Sequence, residues 1–268
     1  MFLCDTHVHT CFSFDSEMLH GELCGEYIRR GFTSVALTDH YDIDGIESGI
    51  YPSYDVKNAR IAYERASEEF AGQLDLIWGI ELGQPTLRPE NACKFIRENG
   101  FEFVIGSVHN LDLVPDFIFM NFSHMPQELI EQLYSKYVDL LCETAAFGKI
   151  DTLAHITYPM RYIHRDGRDL DLRVFYGKYG ELFRIMKENG VALELNTSGI
   201  RKGYVTSPDT DLLMLYRDCG GERVTCGSDA HRIQDCGADV PECLELLRSC
   251  GFTSLVIPTH NKTELIRL

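Results

Sequence analysis

The chain of 268 residues carries 41 acidic against 25 basic side chains, a formal net charge of −16, with 44% apolar and 25% charged residues. Those proportions suit a globular protein with a substantial core, and the acidic balance argues against a nucleic-acid backbone as main partner. No apolar run approaches the roughly 18 residues that a membrane-spanning helix requires.

The N-terminal MFLCDTHVHT lacks a basic segment followed by an apolar one, so no signal peptide is expected and the cytoplasm is the expected compartment. A strand at 2–6 precedes a helical pattern at about 19–30. The alternation then runs as strand 33–38, helix 56–71, strand 74–80, helix 90–98, strand 102–108 and helix 126–147. It continues through strand 150–155, helix 170–189, strand 191–196, helix 209–218, strand 223–227, helix 240–250 and strand 253–257. Helix-ending glycines stand before several strands, at Gly31, Gly100, Gly190 and Gly251. Repeated βα units without a linker-like segment predict one domain over 1–268, an α/β fold closed as a TIM-like barrel of parallel strands. Segments 41–55 and 156–170 break the regularity and are expected to be long polar loops on the catalytic face.

Ten cysteines are spread along the chain with no CxxC pair. Several sit in apolar runs, where cysteine packs as a small hydrophobe, and neither a disulfide scaffold nor a thiolate zinc site is expected.

Polar residues end the strands. Strand by strand these are Asp5-Thr6-His7-Val8-His9, Thr38-Asp39-His40, Gly79-Ile80-Glu81, Ser107-Val108-His109, Ala154-His155, Glu194-Leu195-Asn196 and Ser228-Asp229-Ala230-His231. All fall on the rim where barrel active sites lie. Residues i and i+2 of a strand point the same way, so His7 and His9 face one centre. Any one histidine near a strand end is more often a hydrogen-bonded structural residue. Six at equivalent positions (7, 9, 40, 109, 155 and 231) are better explained by a metal cluster. His20, His124, His164 and His260 lack such matching positions and are assigned no role.

The order HxH, TDH, a strand-ending glutamate, SVH, a later histidine and SDAH resembles the PHP (polymerase and histidinol phosphatase) superfamily, from His7 to His231. Within it, GIELG at 79–83, LELNTSGIR at 193–201 and GSDAH at 227–231 look most like the histidinol-phosphate phosphatase branch. The resemblance implies a distorted (β/α)7 barrel with two or three divalent ions, zinc, manganese or iron. It implies one ion on His7, His9, Glu81 and Asp229, and a second on Glu81, His109 and His155. A third would take Asp15, His40 and His231. Many relatives have histidine where this chain has Asp15, which alternatively caps the helix near 19–30.

Such a site implies a phosphoric monoester hydrolase, with Glu81, Asp229 and His231 as catalytic residues. A hydroxide bridging two cations would attack phosphorus, its pKa lowered towards about 7 by the metals. Arg161 and Arg201 follow strands five and six, where a planar fork would bind the phosphate dianion; the alternative is ordinary surface arginines. Asp39 is expected either to orient a metal ligand or to cap the following turn, and Asn196 either to contact substrate or to close a turn. Asp42, Asp44 and Glu47 read as a solvated acidic loop or as an attractor for a cationic amine. The substrate expected is a small phosphate monoester, L-histidinol phosphate first, in histidine biosynthesis. The alternatives are another phosphate ester or nucleic-acid end, an amidohydrolase reaction, and a non-catalytic metal-binding module.

Overall fold

The computed structural model describes residues 2–260 and 262–268. The chain opens with β1 (Cys4–Val8), α1 (His20–Arg29), β2 (Ser34–Leu37), β3 (His40–Asp42), α2 (Ile43–Glu47) and α3 (Val56–Glu69). It continues with β4 (Asp75–Gly83), α4 (Pro89–Asn99), β5 (Phe103–Ser107), α5 (Gln127–Ala146), β6 (Thr152–Leu153), α6 (Tyr158–Arg165) and α7 (Tyr176–Asn189). The last part holds β7 (Ala192–Asn196), α8 (Thr210–Asp218), β8 (Val224–Gly227), α9 (Val240–Ser249), β9 (Ser254–Thr259) and β10 (Lys262–Arg267).

Seven parallel strands run in the order β1-β2-β4-β5-β6-β7-β8, with β3 beside β4. The first and last meet to close the barrel: Asp229 N–H donates to the His7 carbonyl (2.8 Å) and His9 N–H to that of Ala230 (3.0 Å). Helix ends follow local chemistry. Asp55 accepts from Asn58 N–H to start α3, and Asp209 from Leu212 N–H to start α8. α4 and α7 stop at Gly100 and Gly190 in the left-handed conformation, φ 58° and 70°, which a side chain would resist.

The main core packs helices against the outside of the strands, as with Leu23, Tyr27, Tyr137, Leu182, Phe183 and Leu244. A smaller apolar cluster of Ala36, Ile77, Phe103, Ile105 and Ala154 is separate from it. Ile77 and Glu81 share one face of β4, and Phe103 and Ile105 one face of β5, with His109 just beyond the end of that strand. The polar residues thus lie beyond the ends of an apolar floor.

Three expectations need correction. Segment 41–55 contains β3 and α2, because residues 40–42 continue as a strand pairing His40 with Glu81 and Asp42 with Gly83. Segment 156–170 contains α6, which carries Arg161 and has a proline in its first turn, a position where the missing N–H costs nothing. The strand expected at 253–257 does not enter the barrel but pairs antiparallel with β10. Six of the ten cysteines are buried as packing residues; Cys11 and Cys219 are exposed, and none is in a disulfide. No helix among the described residues is long and apolar enough to cross a membrane.

Candidate metal centre

Glu81, at the end of β4 and 1% exposed, is the hub. Its Oε1 lies 2.9 Å from His155 Nε2 and 3.2 Å from His109 Nε2. Its Oε2 lies 2.7 Å from His40 Nδ1, 3.4 Å from His7 Nε2 and 3.7 Å from His9 Nε2. Asp229 Oδ1 closes the other side, 3.4 Å from His9 Nε2 and 3.8 Å from His7 Nε2. Further out, His231 Nε2 is 3.3 Å from His40 Nε2 and 3.2 Å from Asp15 Oδ2. All nine residues expected to hold metal are therefore in one connected cluster. Asp15 is not a helix cap, since α1 begins after Leu19, which makes no side-chain cap bond.

Most of the imidazoles present one nitrogen inward and use the other for orientation, the arrangement that fixes tautomer and ring angle at metal sites. His7 Nδ1 meets Glu194 Oε1 at 2.6 Å, His9 Nδ1 meets Ser13 Oγ at 3.0 Å, and His109 Nδ1 meets Asp42 Oδ1 at 2.7 Å. His231 Nδ1 lies 3.0 Å from the Asp229 carbonyl. Asp39 accepts from Ser13 Oγ–H, Thr10 N–H and Thr10 Oγ1–H, so it acts on His9 through Ser13 and not as a turn cap alone.

The sequence offers Glu194 only as a strand-ending acid and Asp42 only as a loop acid, neither with an orienting role, and does not single out Gln84. The solvated-loop expectation fails for Asp42, which is 2% exposed. Gln84 supports the same corner, accepting from His109 N–H and donating to Asp42. Asp44 accepts from Gln84 and Asn110, and Glu47 is exposed beside Arg88. A signal for Glu194 was present: as an acid two residues before Asn196, it must share that residue's face of β7. Asp42 becomes legible only once β3 is known to be a strand. The four other histidines lie outside the cluster; His164 pairs with Asp169 and His260 bridges Asp75 and Glu102.

The electrostatics are those of a buried anionic centre. Burial alone pushes the Glu81 carboxyl up, but His40, His7 and His109 outweigh it and hold the group well below the ordinary range. Burial likewise opposes ionisation of Asp229, and His7, His9 and His231 reverse it. Burial pulls the imidazoles down, yet Glu194 with Glu81 drives His7 well above its usual value, Glu81 with Asp15 does so for His40, and Asp42 with Glu81 for His109. His9 is held well below it, by burial and then by His231 and His40. His155 is lowered chiefly by burial.

The donor set fits divalent ions on a direct observation. His7 Nε2, His9 Nε2 and His155 Nδ1 are buried without a hydrogen-bond partner, and His40 Nδ1 and Glu81 Oε2, though 2.7 Å apart, are not aligned as a hydrogen bond. Such orphaned groups are costly unless something else satisfies them. Two triads that can hold an ion on mutually close donor atoms are His7, His9, Asp229 and His7, Glu81, His155; His9, His40, His231 and His40, Asp42, His109 are two more.

The cluster opens into a cavity of about 670 Å³ that Arg161 and Arg201 both line. Arg161, 9% exposed, donates from Nη2 to Asn196 Oδ1 (2.9 Å) and approaches Asp229 Oδ2 at 3.6 Å. Arg201 donates from Nη2 to the Asp229 carbonyl at 2.9 Å. Each keeps one buried N–H without a partner, at Arg161 Nε and Arg201 Nη1. Asn196 therefore faces the site by holding Arg161 and accepting from Ser198.

The family model of the PHP domain matches residues 5–198. The chain belongs to the PHP domain family. Among curated relatives, it is 25% identical over 256 residues to the probable histidinol-phosphatase of Thermotoga maritima, covering 94% of each chain. It is 24% identical over 257 residues to the histidinol-phosphatase of Lactococcus lactis, covering 94% of this chain and 92% of that one. The crystal structure of the Lactococcus lactis histidinol phosphate phosphatase complexed with zinc, L-histidinol and phosphate superposes with a TM-score of 0.81 at 22% identity. That match covers 97% of this chain and 98% of the other. The putative histidinol phosphatase of Listeria monocytogenes gives a TM-score of 0.76 at 18% identity, with 90% and 99% covered. The PHP barrel, distorted and seven-stranded, is thus the fold of this chain.

Proposed function

We propose that the chain, acting as a single PHP domain, hydrolyses L-histidinol phosphate to L-histidinol and phosphate with the help of divalent ions. One observation carries the reading. The metal-binding candidates His40, His109, His155, Asp229 and His231 line one cavity together with Arg161 and Arg201, and the unpartnered donors of His7, His9 and Glu81 lie directly behind them. The names borne by the relatives supply the substrate.

His7, His9, Glu81 and Asp229 would hold one ion and Glu81, His109 and His155 a second, with Asp15, His40 and His231 as a third ligand set. When bound, zinc, manganese or iron would supply Lewis-acid activation of water and neutralise charge on the phosphoryl oxygens. Arg161 and Arg201 are the residues to bind those oxygens: Nη2 of each is anchored, on Asn196 and on the Asp229 carbonyl, and the remaining N–H groups of both guanidiniums are left for the phosphate. Fixed this way, the two forks reach the phosphate with little left to reorganise. Glu81 keeps its two oxygens ionised and divided between two sets of histidines, and Asp229 is held ionised beside His9 and His231. These three residues, Glu81, Asp229 and His231, are the proposed catalytic set.

The test is kcat/KM on L-histidinol phosphate beside simple phosphate esters, with metal content measured on the same protein. A value within about 10⁴–10⁸ M⁻¹s⁻¹, far above the other esters, is the expected result. Slow hydrolysis spread evenly over all esters would discard L-histidinol phosphate as the substrate.

A further inference from the structure

Four carboxylates line the cavity: Asp15, Asp116, Asp229 and Asp235. Three have a basic neighbour, namely His231 for Asp15 (3.2 Å), His9 for Asp229 (3.4 Å) and Arg201 for Asp235 (3.5 Å). Asp116 forms no ion pair among the described residues. Its donors are neutral: Tyr51 Oη–H at 3.1 Å on Oδ2, with Tyr158 Oη–H at 3.0 Å and Ile118 N–H at 2.9 Å on Oδ1. Burial pushes the Asp116 carboxyl up, and His109 draws it back only in part.

A partly buried carboxylate without a counter-ion is costly. Capping the short turn at Phe117–Phe119 does not require the charge, because asparagine or serine caps as well. The position is informative too. The Tyr158 ring packs 5.0 Å from His109 and 5.3 Å from His155 by centroids, and its hydroxyl holds Asp116. Asp116 therefore stands one tyrosine away from the metal-binding residues. Beside it, Phe14 and Tyr51 stack at 4.4 Å with planes 8° apart, and Phe14 remains 46% exposed. The cavity thus has a cationic part at Arg161 and Arg201 and an anionic, aromatic-walled part at Asp116.

We propose that Asp116 receives a protonated amine on the alcohol portion of the phosphate ester, making this site selective for ammonium-bearing phosphomonoesters. The Phe14–Tyr51 pair bounds the remainder of that alcohol, a wall suited to a planar ring or a cation. This inference rests on the phosphomonoesterase reading of the same cavity and assigns its amine subsite.

The experiment uses two ester pairs that differ by the amine: L-histidinol phosphate against 3-(imidazol-4-yl)propyl phosphate, and phosphoethanolamine against ethyl phosphate. The wild-type protein should prefer the amino member of each pair. Asp116→Asn should lower that kcat/KM ratio by about 10- to 100-fold, the loss of a hydrogen bond between charges, and mainly through KM. Using a ratio removes any general loss of active protein. A wild-type ratio near one in both pairs, or an Asp116→Asn ratio within twofold of wild type, overturns the proposal. Titration calorimetry of L-histidinol in the presence of phosphate adds a readout without turnover, with weaker binding by about tenfold expected for the variant. An amine preference confined to phosphoethanolamine would refute the histidinol assignment while leaving Asp116 in its role.

Discussion

Replacing Glu194 by glutamine tests whether the cluster is held by its outer carboxylates. The side chain is fully buried, with Oε1 2.6 Å from His7 Nδ1. Its Oε2 accepts from His155 N–H at 2.9 Å and Asn196 Nδ2–H at 3.1 Å. A glutamine has the same shape but one oxygen and one NH₂. If the oxygen stays on His155 and Asn196, the NH₂ faces His7 Nδ1 and forces the tautomer whose Nε2 bears hydrogen. That nitrogen can then no longer donate a lone pair to an ion. A hydrogen bond to a charged group is worth about 1.5–3 kcal/mol, which converts to roughly 10- to 100-fold in metal affinity, the range typical of outer-sphere partners. Chelator competition with zinc would measure it. Because Glu194 does not line the cavity, kcat/KM at saturating metal should recover to within a few-fold. A metal Kd within twofold of wild type would refute the reasoning. So would an activity loss that saturating metal leaves in place.

Arg161→Ala should retain its metal and lower kcat/KM for phosphate esters by about 10²–10³, the usual cost of removing one preorganised donor; loss of metal by this variant would contradict its assignment to phosphate. In the chelated protein, thermal stability should depend on pH in a defined direction. His7, His40 and His109 are raised well above the ordinary 6.5, so their contribution is complete below pH 6.5 and is lost as pH climbs through the raised folded values. The Tm of chelated protein should therefore fall above pH 6.5, while metal-loaded protein, whose ions replace those protons, should fall less. Parallel curves for the two forms would refute this.

Much of the site is legible in the sequence because parallel barrels deliver strand ends to one rim. A histidine at position 7, 9, 109 or 155 thus has its neighbourhood fixed by strand order alone. The alternation of strands and glycine-capped helices carried the fold in the same way. What escaped depended on irregular backbone. Asp42 looked like a loop acid because a three-residue strand leaves no periodic trace, yet it pairs beside β4 and meets His109. Asp116 sits in the loop after β5, where no pattern shows which way a carboxylate turns. α6 is eight residues long, too short for a secure helical period, although Pro159 in its first turn was a usable mark. The segment 253–257 reads as a further barrel strand, since a short apolar run such as Leu255-Val256-Ile257 looks the same in a barrel and in a hairpin.

The backbone under the cluster explains why so many buried polar groups can be kept in place. His155 and Asp229 both have positive φ, 26° and 54°, where glycine would be at ease and these residues are strained, at a cost of about 1–3 kcal/mol each. Each is clamped by groups that also serve the site. Glu194 takes the His155 N–H with one oxygen and orients His7 with the other. The Asp229 N–H donates to the His7 carbonyl, and its own carbonyl accepts from Arg201 Nη2 and lies on His231 Nδ1. Arg201 is therefore tied to the main chain of the residue whose carboxylate faces His9, while its side chain lines the cavity. In the proposed reaction Arg201, which would bind the phosphate, and Asp229, which would hold an ion, are joined by one hydrogen bond. Their separation is set by a clamped backbone instead of by two mobile rotamers, which is the kind of positioning that phosphoryl transfer depends on.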